Sequence, residues 1–215
     1  DDNEGGKKDQ NGYYQISSDI ADIGIGRIPV HNAKDAENVV DKIIAYSDNY
    51  HYGNWKNRLV FLSDDDKISD AATDSPNSHM KHNDQVIDIL QNQQDHKEFV
   101  YQKIYLPAYT QTTTASGTDY PDARKQFMEA LQKGSLVVNY AGHGASNSIT
   151  HEMLMTTDKA SQLNMKNLPL WITASCDISR WDSDDESMGE ALLLNDNGGA
   201  IALISTVRVV YAQQN

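Results

Sequence analysis

Short, nearly continuous apolar runs alternate along the chain with segments whose apolar residues recur at helical spacing. Asp22-Ile-Gly-Ile-Gly-Arg-Ile-Pro29-Val30 predicts a strand, and Ala33 to Tyr50, with Ala36, Val39, Val40, Ile43 and Ile44 on one face, predicts an amphipathic helix capped by Asn32. Leu59-Val-Phe-Leu62 predicts a buried parallel strand opening into the exposed loop Ser63-Asp-Asp-Asp66. That long acidic loop is expected to reach Lys81, followed by a helix near His82 to Gln94 and a strand from Phe99 to Leu106. Thr112 to Thr118 is polar and reads as a plain connection; a helix starting at Pro121, with Phe127, Ala130 and Leu131 on one face, closes at Gly134. Strands over Ser135–Tyr140 and Leu168–Ser175, a short helix at Glu190–Leu194, a turn at Asn195–Gly199 and a strand over Ala200–Thr206 complete the chain. The alternation predicts an α/β fold, a three-layer sandwich with a mostly parallel sheet over residues 20–215, behind a polar lead-in at 1–19.

In such a sheet the functional edge is the carboxyl end of the strands. The run from Ser135 ends in Ala141-Gly-His143-Gly144, and the run from Leu168 ends in Cys176, the single cysteine of the chain. A lone buried cysteine is more often a small core hydrophobe than a nucleophile. Here both side chains follow continuous strands to one edge, and glycines flank the histidine where larger side chains would block a substrate. A thiol with a pKa of about 8.5 is mostly protonated at neutral pH, so it needs an adjacent imidazole to take its proton and pass it to the leaving amine. His143 and Cys176 are the expected catalytic pair, with the backbone N–H groups of Gly144 and Cys176 as the expected oxyanion hole.

Composition narrows the partners. The 215 residues carry 31 acidic against 18 basic side chains, a formal charge of -13, which leaves no basic surface for a nucleic-acid backbone. No apolar run approaches the roughly 18–20 residues needed to span a bilayer. There is no signal peptide, and the chain opens without an initiator methionine, so it reads as a segment of something longer and says nothing of compartment. Gly24-x-Gly26 lacks the third glycine of a dinucleotide site, and His79, His82 and Asp64–Asp66 match no zinc spacing. Thiol chemistry requires no cofactor and the catalytic step is expected to use no metal, although the carboxylates of the Asp64–Asp66 loop suit a calcium ion. His151 and Glu152 either line a cleft or face water.

Asn139-Tyr-Ala-Gly-His-Gly144 and Leu170-Trp-Ile-Thr-Ala-Ser-Cys-Asp177 resemble the histidine and cysteine blocks of the gingipain family of cysteine peptidases. Gly26-Arg-Ile-Pro29, Asn54-Trp-Lys-Asn-Arg58, Thr113-Thr-Ala-Ser-Gly117, Tyr120-Pro-Asp-Ala123 and Asn197-Gly-Gly-Ala-Ile-Ala-Leu203 are most similar to its PorU branch. The resemblance implies a caspase-like fold and a cysteine endopeptidase at the cell surface of a Gram-negative bacterium of the Bacteroidetes. It implies action as the signal peptidase or sortase of type IX secretion, with the carboxyl-terminal domains of exported cargo as substrates and other secretion components as partners. It also implies an acid that orients His143, for which Asp84 is the nearest candidate by position. The segments Ala145–Glu152 and Ile178–Asp185 depart from the family pattern, so cleavage preference does not carry over, and the isolated segment is not assured of activity. A non-catalytic binding or assembly module of the same fold, or another amidase working through an acyl-enzyme, remain the alternatives.

Overall fold

The structure is a computed structural model, and it describes residues 10, 24–49, 51–69, 72–73, 78–93, 98–114 and 117–210. Apart from Gln10, the predicted lead-in over 1–19 lies outside the described residues. In chain order the elements are α1 (Ala33–Ser47), β1 (Arg58–Ser63), β2 (Lys67–Ser69), β3 (Ala72–Thr73), α2 (Ser78–Asn92), β4 (Val100–Tyr105), β5 (Thr112–Thr114), β6 (Gly117–Asp119), α3 (Pro121–Lys133) and β7 (Val137–Ala141). They continue with β8 (Gly144–Ala145), β9 (Ser148–Ile149), β10 (Met155–Thr156), α4 (Thr157–Ser161), β11 (Leu170–Ala174), α5 (Met188–Leu194) and β12 (Ala202–Ile204). Five strands form the central sheet in the order β12-β11-β7-β1-β4, and every pairing in it is parallel.

Alternation along β1 divides the core into two layers. Val60 and Leu62 face a large cluster that holds Phe127 and Leu131 of α3, Trp171 of β11 and Leu192 of α5, whereas Leu59 and Phe61 face Ile87 of α2 on the opposite side. The fold is therefore the predicted α/β sandwich. Phe127 meets Trp171 edge to face, with ring centroids 5.9 Å apart, in the middle of the larger layer.

Local capping chemistry places several helices as their sequence dictates. Asn32 accepts from the Asp35 N–H at 3.0 Å to start α1. Ser187 and Glu190 form a reciprocal capping box on α5. Across that α1–α5 contact, the Lys42 ammonium donates to the carbonyls of Leu193, Asn195 and Gly198 at 2.9, 2.9 and 3.1 Å. Three donors thus meet three acceptors at the carboxyl end of α5, where a cation also complements the helix dipole. Lys42→Met, which keeps the apolar stem and removes the donors, should cost about 2–3 kcal/mol by denaturant unfolding.

The structure corrects the predicted pattern at four places. Gly24–Val30 forms no strand among its described residues; Ile25 is 83% exposed, and Pro29 has no N–H to give a ladder. The supposed exposed loop after β1 is instead enclosed, with Asp64 and Asp66 almost wholly buried. Helix α2 starts at Ser78 rather than His82, because the Asp66 carboxylate reaches over to accept from the Ser78 hydroxyl at 2.8 Å and the His79 N–H at 3.1 Å. The polar stretch from Thr112 is a hairpin of β5 and β6, not a plain connection.

Candidate active site

Strands β7 and β11 are adjacent, and their register pairs Ala141 with Ala174. The Gly142 N–H continues the ladder to the Ala174 carbonyl at 3.2 Å. His143 and Cys176 each lie two residues past that matched pair, so the sheet delivers imidazole and thiol to one edge. The two turns also touch. A β-carbon on Gly144 would lie 2.3 Å from the Ser175 hydroxyl, 2.8 Å from Ile178 Cδ1 and 3.0 Å from the Cys176 carbonyl.

Behind the histidine turn stands Asp64, at the carboxyl end of β1. Its Oδ2 accepts from the His143 N–H at 3.0 Å and lies 3.4 Å from the Tyr140 hydroxyl, which itself donates to the His143 carbonyl. The Thr150 N–H also donates to the His143 carbonyl at 3.0 Å. A β-carbon on Gly142 would fall 2.4 Å from Asp64 Cβ, so only glycine permits this closeness. Burial pushes the Asp64 carboxyl up to about 7, against the N–H groups of Asp65 and His143 that favour its ionised form. The histidine backbone is thus held on both sides before any substrate arrives.

The segment after the glycine, 145–167, is a β8–β9–β10 meander followed by α4. Gly144 pairs with Ile149 across the first hairpin. Since His143 and Thr150 occupy a hydrogen-bonded position of that ladder, the Gly144–Ile149 pair is of the wide alternate kind, and the Gly144 N–H turns away from β9. It is free of the ladder and stands beside the cysteine turn.

The His143 ring sits between two other imidazoles. His79, from the first turn of α2, meets it edge-on with centroids 5.3 Å apart, and His151 lies at 5.1 Å on another side. His79 is buried, with its Nε2 3.7 Å from Asp66, whereas His82 is exposed on α2. Asp84 faces elsewhere: it accepts from the Lys103 ammonium and the Tyr105 hydroxyl, both at 2.7 Å. The acid beside His143 in this structure is Asp64, not Asp84. His151 is exposed but stacked near His143, and Glu152 is buried rather than facing water.

Cys176 is half-buried, and its thiol donates to the Val210 carbonyl at 3.4 Å. The turn after it is sharp. Asp177 adopts φ 54, a left-handed conformation that aspartate tolerates better than branched residues. Thr206 to Val210 runs back along this turn, accepting at Thr206 from the Ser179 N–H (3.0 Å) and at Arg208 from the Asp177 N–H (3.3 Å). One wall of the site is therefore the chain that follows β12.

Among solved structures, the chain is similar to gingipain R (RgpB), an Arg-specific cysteine proteinase, at 19% identity and TM-score 0.62 over 85% of this chain and 39% of that one. The complex of Porphyromonas gingivalis RgpB pro- and mature domains matches at 18% identity and TM-score 0.61, over 83% and 39% of the two chains. A further structure described as a protease matches at 18% and 0.61, over 86% and 36%. The chain thus spans about two fifths of the length of these relatives, and the likeness shows the caspase-like gingipain fold. No curated protein matches. The sequence profile of peptidase family C25 matches residues 3–215, so the chain belongs to peptidase family C25.

Proposed function

We propose that the protein is a cysteine endopeptidase in which Cys176 is the nucleophile and His143 the general base and acid. The observation that carries this reading is the register of β7 and β11, which brings the two residues out of adjacent parallel strands at matched positions. His143 takes the thiol proton as Cys176 Sγ bonds to the scissile carbonyl carbon. The oxyanion of the tetrahedral intermediate is received by the Gly144 and Cys176 N–H groups, each such donor worth about 3–4 kcal/mol. Collapse breaks the C–N bond, the His143 proton goes to the departing amine, and an acyl-thioester remains. Water, or an amine in its place, resolves the thioester and restores the thiol.

Within the family, the blocks shared with the PorU branch support a finer role as signal peptidase or sortase of type IX secretion at the cell surface of a Bacteroidetes bacterium. Its substrates would be the carboxyl-terminal domains of exported cargo, and its partners other secretion components. A thioester that either water or an amine can resolve suits such an enzyme. Incubation with cargo bearing its carboxyl-terminal domain should release that domain, and added amine should appear at the new carboxyl terminus of the cargo. Release without amine incorporation would leave a hydrolase and remove the sortase role.

The dyad is tested by labelling with a thiol-directed probe at pH 7. An isolated thiol with a pKa of about 8.5 is only about 3% thiolate at that pH. His143→Ala should therefore slow labelling of Cys176 by about 10- to 30-fold while the melting temperature is kept. Equal labelling rates in the two proteins would remove His143 as the activating base.

A further inference from the structure

We propose that Asp64, Asp65 and Glu152 form a calcium-binding site at the carboxyl edge of the sheet, behind the turn that carries His143. One carboxylate oxygen from each residue lies within 4.8 Å of the other two. Oxygens on opposite sides of one calcium ion, each at about 2.4 Å, are separated by about 4.8 Å, so the span is one that calcium can bridge. The residues come from separate parts of the chain. Asp64 and Asp65 follow β1, and Glu152 lies in the turn between β9 and β10.

Proximity of carboxylates is not by itself a site; the state of Glu152 points to a ligand. Glu152 is 7% exposed, and its Oε2 is enclosed without a hydrogen bond from the protein. Its Oε1 has only the distant donors Gln111 Nε2 at 3.4 Å and Thr118 Oγ1 at 3.5 Å. A buried carboxylate oxygen with no donor has lost its hydration and gained nothing in exchange. The neighbouring cations do not supply the deficit. Lys67 reaches only Asp65, with its Nζ 3.7 Å from Oδ2 and about half of its side chain in solvent. Arg124 spends its guanidinium on Asp119 and on the carbonyls of Glu152, Met153 and Leu154, fixing the Glu152 backbone and not its carboxylate.

The chemistry of the donor set selects the ion. All three side chains offer hard carboxylate oxygens, with the Tyr120 hydroxyl bonded to Asp65 Oδ2 at 2.7 Å as outer support. No sulfur or imidazole belongs to the cluster, which sets it apart from a zinc site. Calcium accepts an irregular, partly hydrated shell, whereas magnesium demands a tight octahedron. Because Asp64 Oδ2 holds the His143 N–H, an ion here would brace the histidine turn from behind. The assignment does not depend on the peptidase reading, and its test does not use activity.

The test is thermal unfolding of the metal-stripped protein against added calcium chloride, with terbium luminescence as a direct probe sensitised by the nearby Tyr120. The melting temperature should climb steadily with the logarithm of calcium concentration, as binding to the native state requires. Glu152→Gln and Asp65→Asn should each weaken the apparent calcium affinity at least tenfold, whereas Asp84→Asn on the far side of α2 should leave it unchanged. An unchanged melting temperature up to millimolar calcium would overturn the site, as would a calcium response retained in full by both cluster variants. Magnesium acting as strongly as calcium would overturn the assignment of the ion. Should one variant fail to fold, the other, together with terbium binding to the parent protein, decides the same question.

Discussion

Cys176→Ala is expected to lower kcat/KM for peptide hydrolysis by about 10⁴-fold or more, the usual scale for removing the nucleophile of an acyl-enzyme mechanism. The cost to the fold should be small. The side chain is half-buried and its one hydrogen bond runs to the Val210 carbonyl, a contact worth about 1 kcal/mol. The two readouts separate the catalytic reading from that of a packing cysteine in a non-catalytic scaffold. A nucleophile loses activity at nearly constant stability, whereas a packing residue loses stability in proportion to activity. Matched measurements of kcat/KM and of the unfolding midpoint on the same preparations decide between them, and a fall in kcat/KM of less than tenfold would remove Cys176 from the chemistry.

The sheet was legible because its strands announce themselves. Leu59–Leu62 and Leu170–Ala174 are apolar on both faces, as parallel strands covered by helices must be, and the adjacency of β7 and β11 follows from right-handed crossovers between consecutive strands. Asn32 and Pro121 marked their helix starts for local chemical reasons. What stayed hidden was non-local. Three successive aspartates read as a solvated loop, yet β1 lies beside β7 and turns them under the histidine; only the strand order β11-β7-β1 reveals it. The start of α2 was invisible because its cap, Asp66, lies 12 residues upstream of Ser78 across β2 and β3. Asp84 suggested itself by position alone. One residue of helix is about 100° of rotation, which sends Asn83 to the sheet and Asp84 to Lys103. The apolar run directly followed by Asp64 was the one available signal, since a strand with that pattern ends at the same edge as the other two.

Gly144→Ala is expected to reduce kcat/KM by about 10²- to 10³-fold, the range seen when one oxyanion donor is lost, without unfolding the protein. The added methyl would fall 2.3 Å from Ser175 Oγ and 3.0 Å from the Cys176 carbonyl, so the histidine and cysteine turns must part by several tenths of an ångström at least. That displacement moves the Gly144 N–H and the imidazole away from the thiol together, and positioned reacting groups are intolerant of shifts approaching 1 Å. The global fold should survive, because the clash lies at the sheet edge and the paired strands below it are held by buried Tyr140 and Trp171. The worst contact belongs to a side chain that can be removed. Ser175→Ala alone should be nearly neutral, and combined with Gly144→Ala it should recover part of the lost rate, leaving the contacts with Ile178 and the Cys176 carbonyl as the remaining obstruction. A double-mutant cycle on kcat/KM measures that coupling. Strictly additive losses would mean that the two turns do not meet through Ser175, and a Gly144→Ala protein of full activity would rule out this glycine as the closely packed oxyanion donor.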